Sequence, residues 1–184
     1  MSAGPSVPAP PPKLAAPGSG TGFLGNLAVP AELWWAARAP APLAGMSYPH
    51  RADWPALAEA GFGDVVCLTD DALRYDPAPL TGHAFALQDL YVAGPDAPER
   101  ELAVVGAAVD IVVDRLTAGA GVLVHCQAGR GRTGTVIGGA LVRLGHDPDT
   151  IHDWLHRAQR MRSKRGWPEH PWQATVLAAI PRAT

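Results

Sequence analysis

The sequence predicts a single α/β domain: a central, mainly parallel sheet flanked by helices on both faces, with a glycine-rich loop between a central strand and a buried helix. Three observations predict it. The apolar runs Val65-Val66-Cys67-Leu68 and Val122-Leu123-Val124 follow glycines and are too short for helices. Longer amphipathic segments alternate with them, as crossover helices between parallel strands would. The 184 residues suffice for one sizeable core, and no internal repeat is evident.

Residues 1–22 begin with a stretch dominated by Pro, Ala, Gly and Ser, and are expected to form a flexible tail ahead of a domain spanning 23–184. Leu33 to Ala37 and Leu43 to Met46 read as the strands of an edge hairpin. Asp53 can cap a helix running to about Ala60, with Pro55 suited to its first turn. Gly63 breaks the chain toward the strand Val65 to Leu68. His83 to Leu87 alternates weakly and reads as another strand. Pro98 to Leu116 is a long amphipathic helix, stopped near Ala118-Gly119. The strand Val122–Val124 follows, then the loop and a buried helix over Thr135–Leu144. Asp147-Pro148 starts a further helix to about Arg162, and a last one covers Pro171 to Ile180.

The ten residues His125-Cys126-Gln127-Ala128-Gly129-Arg130-Gly131-Arg132-Thr133-Gly134 lie in the strand-to-helix turn. A thiol is a good nucleophile only as thiolate, and a helix N-terminus favours that anion. Gly129 and Gly131 allow successive amides to converge on one point, forming a nest for an anion with several oxygens. Arg132 would grip two of those oxygens with its planar fork. Thr133 can donate a hydrogen bond to the sulfur when it leaves. His125 suits fixing the backbone around Cys126, and its charge would lower the thiol pKa. A buried structural cysteine would account for neither the glycines nor the arginines. A nucleotide P-loop fails because no Lys-Ser/Thr follows the last glycine.

This loop resembles the signature of the cysteine-dependent protein tyrosine phosphatases, and the chain is similar to their atypical dual-specificity branch over roughly Leu33 to Ile180. Pro42-Leu43-Ala44-Gly45-Met46 with Tyr48-Pro49, and Val65-Val66-Cys67-Leu68-Thr69, resemble that branch's opening strands. The resemblance implies a phosphomonoester hydrolase with a cysteinyl-phosphate intermediate. The phosphate site would comprise Gln127, Ala128, Gly129, Arg130, Gly131 and Arg132. The mechanism would need no cofactor and no metal, because Arg132 and the amides supply the positive charge.

A carboxylic acid must protonate the leaving oxygen. Asp89 ends the strand that begins at His83, where the family carries its acid, although Gln88 stands where many members have proline. Asp96 lies in Asp96-Ala97-Pro98-Glu99, which a helix start with a capping box explains. Asp89 is the preferred acid and Asp96 the alternative. Gln173 falls where related enzymes often carry a glutamine near the site; it either positions water or phosphate there or is a surface residue of the last helix. Cys67 reads as core, with a redox disulfide to Cys126 as the lesser option. Arg130 resembles the basic residue of some phosphoinositide phosphatases. Arg157, Arg160, Arg162, Lys164 and Arg165 form either a funnel for polyanions or, preferably, a solvated helix end.

The substrate is therefore a phosphorylated protein or, alternatively, a nucleoside, sugar, inositol or lipid-headgroup phosphate. A non-catalytic phosphate-binding module is disfavoured by the complete Cys126, Arg132 and Asp89 set. The formal net charge of −2 argues against a general nucleic-acid binder. No stretch suits a membrane span or a secretory signal. Two cysteines, one needing to stay reduced, suit the cytoplasm, and a monomer is expected. Abundant Ala, Gly, Pro and Arg beside a single pair of lysines point to a GC-rich bacterial genome.

Overall fold

The computed structural model describes residues 10–17, 22–24, 27–29, 33–89 and 98–182. A short antiparallel ribbon pairs β1 (Gly22–Leu24) with β2 (Leu27–Val29). The main sheet has the order β3-β4-β7-β5-β6, from β3 (Trp34–Ala37), β4 (Leu43–Met46), β5 (Phe62–Cys67), β6 (Thr81–Ala84) and β7 (Gly121–His125). All its pairings are parallel except the β3–β4 hairpin. The helices are α1 (Trp54–Glu59), α2 (Pro98–Thr117), α3 (Gly131–Arg143), α4 (Pro148–Met161) and α5 (Pro171–Ala179). None of the described helices is long and apolar enough to cross a membrane.

Both faces of the sheet are covered, but unequally. Alternation along β7 sends Val122 and Val124 into a large core with residues of α2 to α5, and Leu123 into a smaller one with Trp54 and Leu57 of α1. A central strand buried on both faces must be apolar throughout, which is why Val122-Leu123-Val124 reads as an unbroken run. The caps are local and legible: Asp53 accepts from Ala56 N (3.0 Å) at α1, and Asp147 accepts from Thr150 N (3.0 Å) at α4. Each such cap is worth about 1 kcal/mol.

Three expectations need correction. The fifth main-sheet strand covers Thr81–Ala84 rather than His83 to Leu87: pairing with β5 ends at Ala84 opposite Cys67, and Leu87 N turns back to Phe85 O (3.1 Å). Local alternation does not reveal where a neighbouring strand stops. The helix after the loop begins at Gly131, not Thr135, so Arg132 and Thr133 lie in its first turn. Part of the expected flexible tail is docked: Leu14 bridges to Ala37, Ala15 O accepts from Trp154 Nε1 (2.9 Å), and Pro12 O pairs with His146 Nε2 (2.8 Å). Proline-rich composition hid a segment whose carbonyls meet donors from Trp154 of α4 and from His146 in the turn between α3 and α4.

One buried network was not foreseen. Asp64, fully buried in β5, accepts from Arg115 Nε of α2 (3.0 Å) and pairs with His83 Nε2 of β6 (2.8 Å). A carboxylate out of water needs such partners, and here they tie an edge strand and a helix to the sheet.

Candidate active site

His125 ends β7 with Met46 of β4 on one side and Cys67 of β5 on the other. The loop that follows therefore rises from the carboxyl ends of three parallel strands, where open α/β sheets form crevices. Its carbonyls are tied outward. Gln127 O accepts from Tyr48 N (3.1 Å), Gly129 O from Trp34 Nε1 (2.9 Å) and Arg162 Nη1 (3.3 Å), and Gly131 O from Trp167 Nε1 (3.2 Å) and Thr135 Oγ1 (2.9 Å). The amides of residues 127–132 have no acceptor among the described residues. Bonded carbonyls and open amides are what an anion nest at a helix N-terminus consists of. Gly129 takes φ +65°, and a Cβ there would lie 2.5 Å from the Met46 carbonyl, so only glycine fits.

Cys126 lies at the base of this loop, 2% exposed and unpaired. Arg132 is 6% exposed and held at three points: Nη1 donates to Leu68 O (3.3 Å) and Leu87 O (3.2 Å), and Nη2 to Asp89 Oδ2 (2.8 Å). These partners come from the ends of β5 and of the segment after β6, so the sheet itself orients the guanidinium. The Asp89 side chain is 45% exposed. Its neighbour Gln88 is fixed by a backbone bond from Gln88 N to Oε2 of the buried Glu101 (3.1 Å). Asp96 lies outside the described residues.

His125 departs from the expected charged role. Burial chiefly, opposed by its contact with the Cys126 carbonyl and reinforced by the Arg132 charge, pushes its pKa down from 6.5 to about 4. The neutral ring places Nδ1–H toward Cys126 O (3.4 Å), leaving Nε2 to accept from the Tyr75 hydroxyl (2.5 Å). Burial pushes the Tyr75 phenol up, so it keeps that proton. His125 fixes the loop as an uncharged strut and adds no positive charge to the thiol.

This neutrality makes stability depend on pH. The unfolded chain binds a proton at this histidine below about pH 6.5 and the folded one only near pH 4, so folding is progressively weakened as pH falls through that window. The loss amounts to about 3 kcal/mol. Urea midpoints measured across this window should fall with pH in the wild type and less steeply in His125→Asn. Parallel slopes would contradict the assignment.

Other expected residues are placed as follows. Thr133 is buried, and its Oγ1 has no hydrogen-bond partner among the described residues, so the expected bond to sulfur is not made. Gln173 is not a surface residue: it is 2% exposed, its Oε1 accepts from Glu169 N (2.8 Å) and His170 N (3.3 Å), and its Nε2 abuts Gly131. Arg130 is not an open anion clamp, because it donates to Glu169. Of the basic run, Arg162 turns inward onto the loop, whereas Arg157, Arg160, Lys164 and Arg165 are exposed. Cys67 hydrogen-bonds Thr69 Oγ1 (3.2 Å) and is unpaired. Strand alternation also sends it to the face opposite Cys126, which disfavours the disulfide.

Sequence reasoning missed Trp34, Tyr75, Glu101, Trp167 and Glu169. Each reaches the site from far along the chain, and none carries a local signal. Tyr75 and Tyr48 set rings against His125 at 5.6 and 5.5 Å between centroids, enclosing the strut.

A family model described as Swiss Army Knife protein, DSP-PTPase phosphatase domain, matches residues 35–171. Several solved structures are similar. Human DUSP28 is 22% identical with a TM-score of 0.59, the match covering 83% of this chain and 94% of that one. Tk-PTP in its active form is 23% identical (TM-score 0.56, 75% and 90% covered). The core catalytic domain of the PP-IP phosphatase SIW14 from S. cerevisiae, in complex with citrate, is 14% identical (TM-score 0.55, 76% and 80% covered). No curated protein gives a significant match. The matched span runs from β3 to the first residue of α5 and encloses the whole Cys126 loop; the chain belongs to the DSP-PTPase phosphatase domain family and is a cysteine-dependent phosphatase.

Proposed function

We propose that this phosphatase acts on phosphorylated protein side chains, phosphotyrosine with or without phosphoserine and phosphothreonine, through Cys126, Arg132 and Asp89. What supports the catalytic part of this reading is one juxtaposition: a buried thiol beneath open amides, with the Arg132 guanidinium held at three points in the same loop.

In the first step the Cys126 thiolate attacks phosphorus in line. An S–P bond forms, the P–O ester bond breaks, and Asp89 gives its proton to the leaving oxygen. The loop amides and Arg132 stabilise the charge on the equatorial oxygens. As those oxygens take over Arg132 Nη2, Asp89 is released from the ion pair, takes up a proton from solvent and turns toward the leaving group, its exposure leaving it room to do so. In the second step Asp89 takes a proton from water, which attacks phosphorus; the S–P bond breaks and inorganic phosphate departs. The Thr133 hydroxyl, otherwise unpartnered, turns toward the departing sulfur. Gln173, against Gly131, helps position that water. A thiolate of this kind needs a reducing compartment such as the cytoplasm.

The same steps serve a small phosphorylated metabolite. A panel of phosphopeptides, nucleotides and sugar phosphates separates the two readings, and a preference of the wild type for a small ester would overturn the protein assignment. The acid is tested by leaving-group dependence. Asp89→Asn should lower kcat for an alkyl phosphate by about 100-fold or more, and far less for 4-nitrophenyl phosphate, whose leaving group needs no proton. Equal losses on both esters would remove Asp89 from this role, and the unequal pattern in Asp96→Asn would transfer it.

A further inference from the structure

Arg130 occupies the N-cap position of α3 within the phosphate loop, and its guanidinium donates to Glu169 Oε1. The second carboxylate oxygen crowds Gly131 so closely that a Cβ there would lie 2.0 Å from it. The two side chains are 21% and 15% exposed, so the pair sits largely out of water at the rim of the loop. It is also built in from both sides. Two residues before Glu169, the fully buried Trp167 donates to Gly131 O; four residues after it, Gln173 accepts from Glu169 N. A carboxylate anchored in this way stands permanently beside an anion site.

Such a charge affects two kinds of substrate differently. A single phosphate in the nest meets Arg132 and the open amides, while Arg130 and Glu169 largely cancel each other. A second phosphate on a neighbouring substrate atom would lie against the rim, where it meets a cation already engaged and a carboxylate that repels it. Glycine at position 131 is what allows the carboxylate so near. From this geometry we propose that the Arg130–Glu169 pair is a specificity-determining element that restricts the site to isolated phosphomonoesters and rejects substrates bearing neighbouring phosphates. The proposal rests on the phosphatase reading of the Cys126 loop and narrows its substrate class.

The test compares inositol hexakisphosphate with inositol monophosphate, and follows 4-nitrophenyl phosphate alongside. In Glu169→Gln the carboxylate charge is gone and Arg130 becomes an open anion site. The ratio of kcat/KM for the hexakisphosphate to that for the monophosphate should then rise by about fivefold to tenfold, a rise that high salt removes. Glu169→Asp keeps the charge and should keep the wild-type ratio. Adding Arg130→Gln to Glu169→Gln should return the ratio toward wild type. A ratio unmoved in Glu169→Gln, or a wild type that already prefers the hexakisphosphate, overturns the proposal even while 4-nitrophenyl phosphate is turned over. Absence of turnover of every ester by the folded wild type overturns the catalytic assignment beneath it instead.

Discussion

Cys126→Ser is expected to lower kcat by at least about ten-thousand-fold on every phosphate ester, while substrate still binds. The reason lies in the surroundings of the nucleophile. A thiolate needs no base at the moment of attack, only stabilisation by the amides of 127–132. A serine hydroxyl would need its proton removed, and the nearest imidazole cannot do it: His125 directs Nδ1–H to the Cys126 carbonyl and Nε2 to the Tyr75 hydroxyl. Both ring nitrogens are occupied, and Asp89 holds its proton for the leaving oxygen at this step, so no base is left to take the hydroxyl proton at the moment of attack. Steady-state kinetics with calorimetric titration of a phosphopeptide measures the two effects separately. Hydrolysis by the serine variant within tenfold of wild type would mean that Cys126 is not the nucleophile.

Arg132→Ala should cost about a thousandfold or more in kcat/KM, the scale at which a transition-state arginine acts in phosphoryl transfer. It should also destabilise the fold. Leu68 O and Leu87 O lose their buried donor, at roughly 1–3 kcal/mol for each carbonyl left unsatisfied. Asp89 loses its anchor in the same substitution. Arg132→Lys restores the charge but not the fork, because one ammonium cannot serve two carbonyls, a carboxylate and a phosphate together. The lysine variant should recover stability better than activity. A lysine variant within threefold of wild-type kcat/KM would show that charge alone suffices and that anchoring by Leu68 O, Leu87 O and Asp89 is irrelevant to the chemistry.

The sequence is legible where the physics is local. The apolar strand Val122–Val124 and the caps at Asp53 and Asp147 carry their signal within a few residues and are found as expected, and the glycines of the loop from His125 to Gly134 announce its strand-to-helix turn, although the helix starts earlier, at Gly131. The preference for Asp89 over Asp96 rests on a helix start that explains the latter, and the leaving-group comparison of the two Asn variants is its test. What resisted reading depends on contacts across long stretches of chain. Trp34 reaches Gly129 over 95 residues, and Arg132 reaches Leu68 over 64. The charge of His125 could not be read either, since its neutrality follows chiefly from burial, which only the assembled fold creates. Arg130 is the clearest case. Its place in the loop suggests an anion clamp, and only the fold brings Glu169 against it.

The central claim is that phosphate passes through the Cys126 sulfur. Rapid acid quench during turnover of a good-leaving-group ester, followed by mass spectrometry of the peptide that carries Cys126, measures that intermediate directly. The predicted result is a single phosphoryl group on Cys126, formed within the first turnover and accumulating further in Asp89→Asn, where water attack is slowed. Turnover at the normal rate with no phosphoryl group on Cys126, or with the group on another residue, would contradict it.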